Sequence, residues 1–293
     1  MPFSSAWRRL VFYWIVASFL AISCTREDHS AVHFNKIVST TLHTDELLVH
    51  LVHPSRILSL SSLADDDYFS PLGEKAQAVA LRTPAEPEAI MALGPDLVLA
   101  SAWVAPEKVE FLRQMGLRIE VVPIPQTAGQ IISQTLELGT FLRAEEQAGE
   151  LVEDMNSMKE RLLLRNLKIS QSKTLAEISE WGTSGGRGSL WNEMCNLAGL
   201  RNLAAEQESD KWGMAQISSE MLLLWQPDLV YLAESPGNTW NDSVVSDPVF
   251  SRLEAVKEQR FLTIPEAHRS SPGLGFWLGA LELSLAAYPE IKE

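Results

Sequence analysis

Apolar residues along the chain fall into two alternating patterns. Short runs, Ile57-Leu-Ser-Leu60, Leu97-Val-Leu-Ala100, Val121-Val122, Thr174-Leu-Ala-Glu-Ile178, Leu229-Val-Tyr-Leu232 and Phe261-Leu-Thr-Ile264, have the composition of buried strands. Between them lie stretches whose apolar positions recur every three and four residues, as amphipathic helices require. Their regular alternation predicts an α/β fold with parallel sheets. The clearest helix covers Glu145 to Asn166, where Ala148, Leu151, Val152, Met155, Met158 and Leu162 share a face and no proline intervenes. A helix of about 20 residues rises roughly 30 Å, enough to run along two lobes.

The pattern also reads twice. Glu88-Ala-Ile-Met-Ala-Leu-Gly-Pro95-Asp96-Leu97-Val98 is echoed by Glu220-Met-Leu-Leu-Leu-Trp-Gln-Pro227-Asp228-Leu229-Val230. In each copy a helix stops ahead of proline, a Pro-Asp turn follows, and an apolar strand begins. A later strand ends in Ile-Pro in both, at Ile124-Pro125 and Ile264-Pro265. The expected architecture is two Rossmann-like α/β lobes joined by a long rigid α-helix, with a ligand cleft between the lobes. The expected divisions are a leader over 1–23, a tether over 24–34, an N-terminal lobe over 35–142, the connecting helix over 143–167 and a C-terminal lobe over 168–293. A rigid connector allows a small rocking of the lobes and opposes wide hinge closure.

The leader changes the picture of where the protein works. Arg8 and Arg9 precede an apolar run from Leu10 to Ser23, which has signal-peptide length and falls short of the roughly 20 residues that span a bilayer. The run ends in Leu20-Ala-Ile-Ser-Cys24, which resembles a bacterial lipobox with Ala21 where leucine is usual. Cys24 is thus the expected lipidation site, each buried methylene of an acyl chain contributing about 0.8 kcal/mol. The expected location is extracytoplasmic, on a membrane anchor in the periplasm or at the cell surface. The other cysteine, Cys195, has no partner left and reads as a small buried hydrophobe. Two cysteines build neither a disulfide framework nor a four-cysteine zinc site.

Composition narrows the function further. The 293 residues are 46% hydrophobic and 21% charged, which excludes collagenous and disordered chains. A net charge of −14, or −16 once Arg8 and Arg9 leave with the leader, argues against nucleic acid as a partner.

Several segments, RILSLSS, PEAIMALGPDLVLASAW, LGTFLRAEEQAGELVEDM, GSLWNEMCNLAGLRNLA, MLLLWQPDLVYLAES and DPVFSRLEAVKEQRFLTIP, occur in an order and spacing that resemble the helical-backbone substrate-binding proteins of ABC importers. The resemblance runs from about Asn35 to the C-terminus. It implies a protein that captures a corrinoid such as cobalamin, or an iron chelate such as a siderophore or haem. The ligand would pass to a membrane permease driven by an ATPase, with no catalytic residue and no resident cofactor or metal.

Ligands of such folds lie outside the carboxyl ends of the strands, between the lobes. The loops there offer Ser61, Ser62, Leu63, Tyr68 and Trp103 on the N-terminal side, and Trp181, Trp212, Trp240, His268 and Arg269 on the C-terminal side. Trp191, Trp225 and Trp277 lie in helical patterns and are expected in the core. The resemblance places Trp103 and Trp212 where aromatic walls face the corrin ring in cobalamin-binding relatives, and puts Leu63 where an aromatic is expected. Arg269 and His268 are candidates for a ligand carboxylate or phosphate, and His268 for a metal at the centre of a macrocycle. The resemblance also implies one acidic docking residue per lobe for the permease. The matched positions hold Gln77 and Gly188, and the nearest acids are Glu74 and Glu193.

Three other readings compete. Gly182-Thr-Ser184-Gly-Gly186 matches the G-x-S-x-G elbow of serine hydrolases, which Asp228 or Asp247 with His268 would complete. Against it, Gly185 to Gly188 separate Ser184 from a helix that Ser189 would cap. His43, His50 and His53 suggest a zinc or manganese binder, although no matching set stands in the other lobe. A lipoprotein adaptor for another protein is the third, and four loop tryptophans favour a small-molecule cleft over it.

Overall fold

Burial of both faces dictates the sheets. In the computed structural model, which describes residues 33–233 and 240–292, the first sheet consists of β1 (Ile37–Ser39), β2 (Ile57–Ser61), β3 (Arg82–Thr83), β4 (Leu97–Ser101) and β5 (Ile119–Val122). Its order is β3-β2-β1-β4-β5, all parallel. Helices α1 (Leu42–Leu51), α2 (Glu74–Gln77), α3 (Pro87–Leu93) and α4 (Pro106–Gln114) connect these strands. Next come α5 (Ala128–Leu142) and α6 (Glu145–Asn166), the latter over the residues its apolar spacing predicts.

The second half repeats the plan. Strands β6 (Thr174–Glu177), β8 (Arg201–Asn202), β10 (Leu229–Tyr231) and β11 (Phe261–Leu262) form a parallel sheet in the order β11-β10-β6-β8. A two-stranded antiparallel ribbon of β7 (Thr183–Gly185) and β9 (Met214–Gln216) projects beside it. Helices α7 (Leu190–Leu197), α8 (Ser219–Trp225), α9 (Trp240–Ser246), α10 (Glu254–Lys257), α11 (Glu266–Arg269) and α12 (Leu274–Ala287) complete this half. The expected lipidation site Cys24 lies outside the described residues, as do the leader and most of the tether.

The sequence echo has a structural reason. Helices α3 and α8 each end on a left-handed residue, Gly94 at φ 59° and Gln226 at φ 44°, which turns the chain into Pro-Asp. The carboxylate of Asp96 then accepts the N–H groups of Asn35 and Lys36 at 2.8 and 3.0 Å, just ahead of β1. Asp228 does the same for Thr174 at the start of β6, accepting its N–H and its hydroxyl, both at 2.7 Å. Each Pro-Asp turn therefore starts one strand and ties down its parallel neighbour.

Two helices, and not α6 alone, join the halves. Ala148 near the start of α6 packs with Leu138 and Leu142 of α5 in the first core, against Leu47, Leu97 and Leu99. Leu151, Met155 and Leu162 further along α6 pack in the second core, as do Ala128 and Ile131 at the start of α5. The second core centres on α12, apolar nearly all round, with Phe276 and Trp277 at 0% exposure. Among the described residues the buried core side chains lie between Phe34 and Tyr288, within the compact unit that begins at Phe34.

A buried carboxylate also bridges the halves. Glu46 of α1 accepts the Ser271 hydroxyl at 2.6 Å and the Gly275 N–H at 2.8 Å, satisfying an orphan donor in the first turn of α12. Burial raises its pKa above the usual 4.5, outweighing the hydrogen bonds from Gly275 and Ser271 that lower it. The folded chain then holds this proton more tightly than the unfolded chain, so stability falls as pH rises above about 4.5. Glu46→Gln is expected to flatten that fall, measured as the slope of melting temperature against pH. An unaltered slope would show that another group produces it.

Candidate functional site

The carboxyl ends of the strands meet in a cavity of about 510 Å³. From the first half come Ala102 and Trp103, which follow β4, and Pro123 to Gln126, which follow β5. From the second come Gly185 and Met214 of the ribbon, Lys211 and Trp212 before β9, Gly188 to Trp191 at the start of α7, and Arg269, Ser270 and Pro272. Ser189 caps α7, its hydroxyl accepting the Asn192 N–H at 3.1 Å. Asp210 holds the Trp212 loop by accepting the N–H groups of Trp212 and Met214 at 2.8 and 2.9 Å. A side chain at position 185 would meet the Cβ of Trp191 at 2.7 Å, so glycine there makes room for the indole.

Trp103 and Trp212 stack across this cavity, with ring centroids 5.6 Å apart and planes 21° from parallel. They stay 65% and 47% exposed, large apolar surfaces that no core demands. The Lys211 ammonium lies 5.1 Å from the Trp212 ring centroid.

Arg269 occupies the inner wall and is already partnered. It donates to Glu177 at 2.6 Å and to Glu266 at 3.3 Å, and its guanidinium lies 4.9 Å from the Trp191 centroid and 5.4 Å from that of Tyr231. Burial works against the guanidinium charge, but Glu177 and then Glu266 outweigh it and hold the pKa above its usual value. Burial raises the pKa of Glu266 against the pull of Arg269. This ion cluster is not legible from the loop alone, which names Arg269 as a candidate for a ligand carboxylate or phosphate.

The other candidates lie elsewhere. Ser61 is buried and gives its hydroxyl to Asp45, Ser62 and Leu63 are exposed, and Tyr68 packs edge-on against Phe69 at 4.6 Å. None of the four lines the cavity. Trp181 is 81% exposed and outside it, and Trp240 lines a smaller cavity of about 200 Å³ while packing on Phe250. His268 is bound to Glu282 at 2.9 Å and does not line the cavity, which removes it from the centre of any ligand there. Glu74 is exposed at the start of α2. Glu193 is half-buried and accepts the Ala128 N–H at 3.4 Å, at the start of α5.

Sequence reasoning missed Trp191, which it assigned wholly to the core. The indole is 6% exposed and packs in the second core, yet it also lines the cavity. The loop after β5 was missed too, although the rule applied to the other strands names it.

The hydrolase reading fails on geometry. Ser184 is fully buried inside β7 and donates to Glu177 at 2.8 Å, whereas an elbow serine stands exposed between strand and helix. Asp228 is committed to Thr174 and His268 to Glu282. The histidines do not assemble either. Burial lowers the His43 pKa to about 4, keeping it neutral, while His50 bonds the Glu46 carbonyl and His53 the Ser55 hydroxyl. Among the described residues no three His, Cys, Asp or Glu side chains are placed to hold a metal ion.

Known structures share this architecture. A haem-binding periplasmic protein of Roseiflexus sp. RS-1, RhuT in its apo form, superposes with a TM-score of 0.74 at 17% identity, over 88% of this chain and 99% of that one. The vitamin B12 binding protein BtuF of Vibrio cholerae gives 0.68 at 19% identity, over 88% and 98%. MolA of Haemophilus influenzae, bound to molybdate, gives 0.72 at 18% identity, over 88% and 87%. At such identities the likeness speaks for the fold. No curated protein sequence matches the chain significantly. Residues 37–267 match the family described as periplasmic binding protein, across both sheets and the helices that join them. By that match over most of its length the chain belongs to this family, whose members bind solutes outside the cytoplasm for a cognate ABC transporter and are not enzymes.

Proposed function

We propose that the protein is the substrate-binding lipoprotein of an ABC importer and that it captures a corrinoid or an iron chelate such as haem or a ferric siderophore. The observation that carries this reading is the pair of exposed indoles, Trp103 and Trp212, stacked face to face over an apolar cavity of about 510 Å³. A flat macrocycle takes the place of each ring against the other, so the rings part to admit it. The haem and vitamin B12 ligands named for two of the similar structures are flat macrocycles and support the choice. Trp103, Trp191 and Trp212 provide burial in this scheme, and backbone amides near Gly185 and Gly188 approach the ligand edge. Exposed Glu74 is free to meet a permease arginine, whereas Glu193 is engaged with α5.

Titration of residues 25–293 with cobalamin, haemin and ferric siderophores tests the proposal through tryptophan fluorescence, corrected for ligand absorption. Saturable quenching at or below micromolar concentration by one of them is expected, and silence from all would overturn the chelate reading. For the anchor, Cys24→Ser is expected to move the protein from the membrane fraction to the soluble fraction. Retention of a cleaved Cys24→Ser chain in membranes would count against lipidation.

A further inference from the structure

The end of helix α6 carries an apolar patch that no core uses. Leu163, Leu164 and Leu167 are 51%, 55% and 83% exposed. Spacings of three and four residues set them side by side, away from buried Leu162. Leu164 and Leu167 line a groove of about 480 Å³. Exposed Lys159, Arg161 and Lys168 flank the leucines on adjoining turns, and Lys168 also donates to the Lys292 carbonyl at 2.7 Å. From Lys159 to Lys173 the chain has five basic residues and one acid, against 24 and 38 in the whole sequence. A contiguous apolar surface rimmed by one sign of charge marks a contact with something else.

The patch lies on the side away from the cavity. Arg165, beside the leucines, donates to the carbonyls of Tyr288 and Ile291 at 3.2 and 2.8 Å, just past the C-terminal end of α12. The other end of α12 adjoins the cavity at Pro272, about 20 Å away at 1.5 Å per residue. The chain enters the compact unit on that same far side. Phe34 is buried under Phe141 and Arg118, with centroids 5.4 Å apart and the guanidinium at 5.0 Å, and Arg56 donates to its carbonyl at 2.9 Å. Strand β1 begins just after it, so the chain arrives at the amino ends of the strands, whereas the cavity takes their carboxyl ends. Leu167 likewise precedes Thr174, where β6 begins.

We infer that this end of α6 is a membrane-contact surface, its leucines entering the boundary between headgroups and acyl chains of an anionic phospholipid bilayer and its cations meeting the phosphates. Long Lys and Arg stems let the charge reach the headgroups while their methylenes stay against the apolar layer. The chain as a whole is acidic, and its net charge opposes such a surface. At about 0.1 M salt the screening length is about 10 Å, so the bilayer meets the cations beside it and little of the acids beyond them. A second copy of the chain suits the patch less, because a two-fold contact sets the same cations against one another. The Cys24 anchor, taken from the reading above, supplies proximity only, since ten residues from Cys24 to His33 reach at most about 35 Å. Contact through the patch turns the cavity away from the bilayer, toward the solution that supplies the ligand.

Residues 25–293, which carry no acyl chain, test this by cosedimentation with vesicles in about 0.1 M salt. Saturable binding is expected to vesicles of equimolar phosphatidylglycerol and phosphatidylcholine, and several-fold weaker binding to phosphatidylcholine alone. Leu164→Ser with Leu167→Ser is expected to weaken binding about tenfold or more at an unchanged melting temperature, since both side chains are exposed. Lys159→Gln with Arg161→Gln is expected to erase most of the preference for the anionic vesicles. Cys195 is the sole cysteine of these residues and is buried, so an environment-sensitive dye on Leu167→Cys reports the patch alone, and one on Lys211→Cys reports the cavity. Vesicles are expected to shift the emission of the first dye to the blue and leave the second in water. No binding, binding indifferent to the leucine pair, or a shift at the cavity dye alone overturns the inference. So does a dimer in solution that the leucine pair abolishes. Each of these results leaves the chelate and lipidation readings standing, because ligand titration and membrane fractionation test those separately.

Discussion

Arg269→Ala is expected to cost the protein about 3–5 kcal/mol of stability, because it strands buried carboxylates without their counter-charge. Glu177, 5% exposed, would keep only the Ser184 hydroxyl as a partner, and Glu266 would lose its cation altogether. The guanidinium also lies over the rings of Trp191 and Tyr231, so its removal opens space between the ion cluster and the second core. For a chain of this size each kcal/mol lowers the melting temperature by roughly 2–4 °C, which makes the drop easy to read in thermal or denaturant unfolding. A triple substitution, Arg269→Met with Glu177→Gln and Glu266→Gln, is expected to recover much of the loss, since a buried ion cluster replaced as a unit leaves no orphaned charge. A loss below about 1 kcal/mol for Arg269→Ala would mean a solvated pair of the surface kind, and an arginine that a ligand anion could recruit.

The contrast between this cluster and the rest of the molecule shows what a sequence can display. Leu97 to Ala100 and Leu229 to Leu232 were legible as strands because both of their faces are covered, which forces unbroken apolar runs. Helix α6 was legible because one stripe serves two cores in succession. Strand β1, central in its sheet, escaped because it is only Ile37-Val38-Ser39 and runs into Thr40 and Thr41, a polar context that conceals complete burial. The ribbon of β7 and β9 escaped because its strands are only Thr-Ser-Gly and Met-Ala-Gln, and what makes it a ribbon is the pairing of residues about 30 positions apart. The same distinction governs the site. Loops after strands could be named from the pattern, yet which of them lean into the cleft depends on how each folds back. Ser61 and Tyr68 turn to Asp45 and Phe69, while the Pro123 to Gln126 loop reaches the cavity. Arg269 could be named as well, but Glu177 stands 92 residues before it, and no local pattern announces that pairing.

Trp103→Ala and Trp212→Ala are expected each to weaken chelate binding about tenfold and to leave the fold intact, because neither indole is buried. A buried aromatic contributes about 1.5–3 kcal/mol to a ligand that covers it. The stack that the ligand must part contributes about 0.5–1.5 kcal/mol to the empty protein. The first substitution therefore removes one wall and also removes the competing stack, for a net cost of about 1–2 kcal/mol. The second removes the remaining wall with nothing left to recover, and costs the full 1.5–3 kcal/mol or so. The double variant should lose more affinity than the two single losses combined, a non-additivity whose sign follows from the ligand and the stack excluding one another. Calorimetry or ligand absorbance is the readout, since both substitutions alter the fluorescence itself. Undiminished affinity in both single variants would remove the tryptophans from the site. Strict additivity would keep them as walls but place the ligand beneath an unbroken stack, so the sign of the coupling, more than the size of either loss, decides how the cleft is entered.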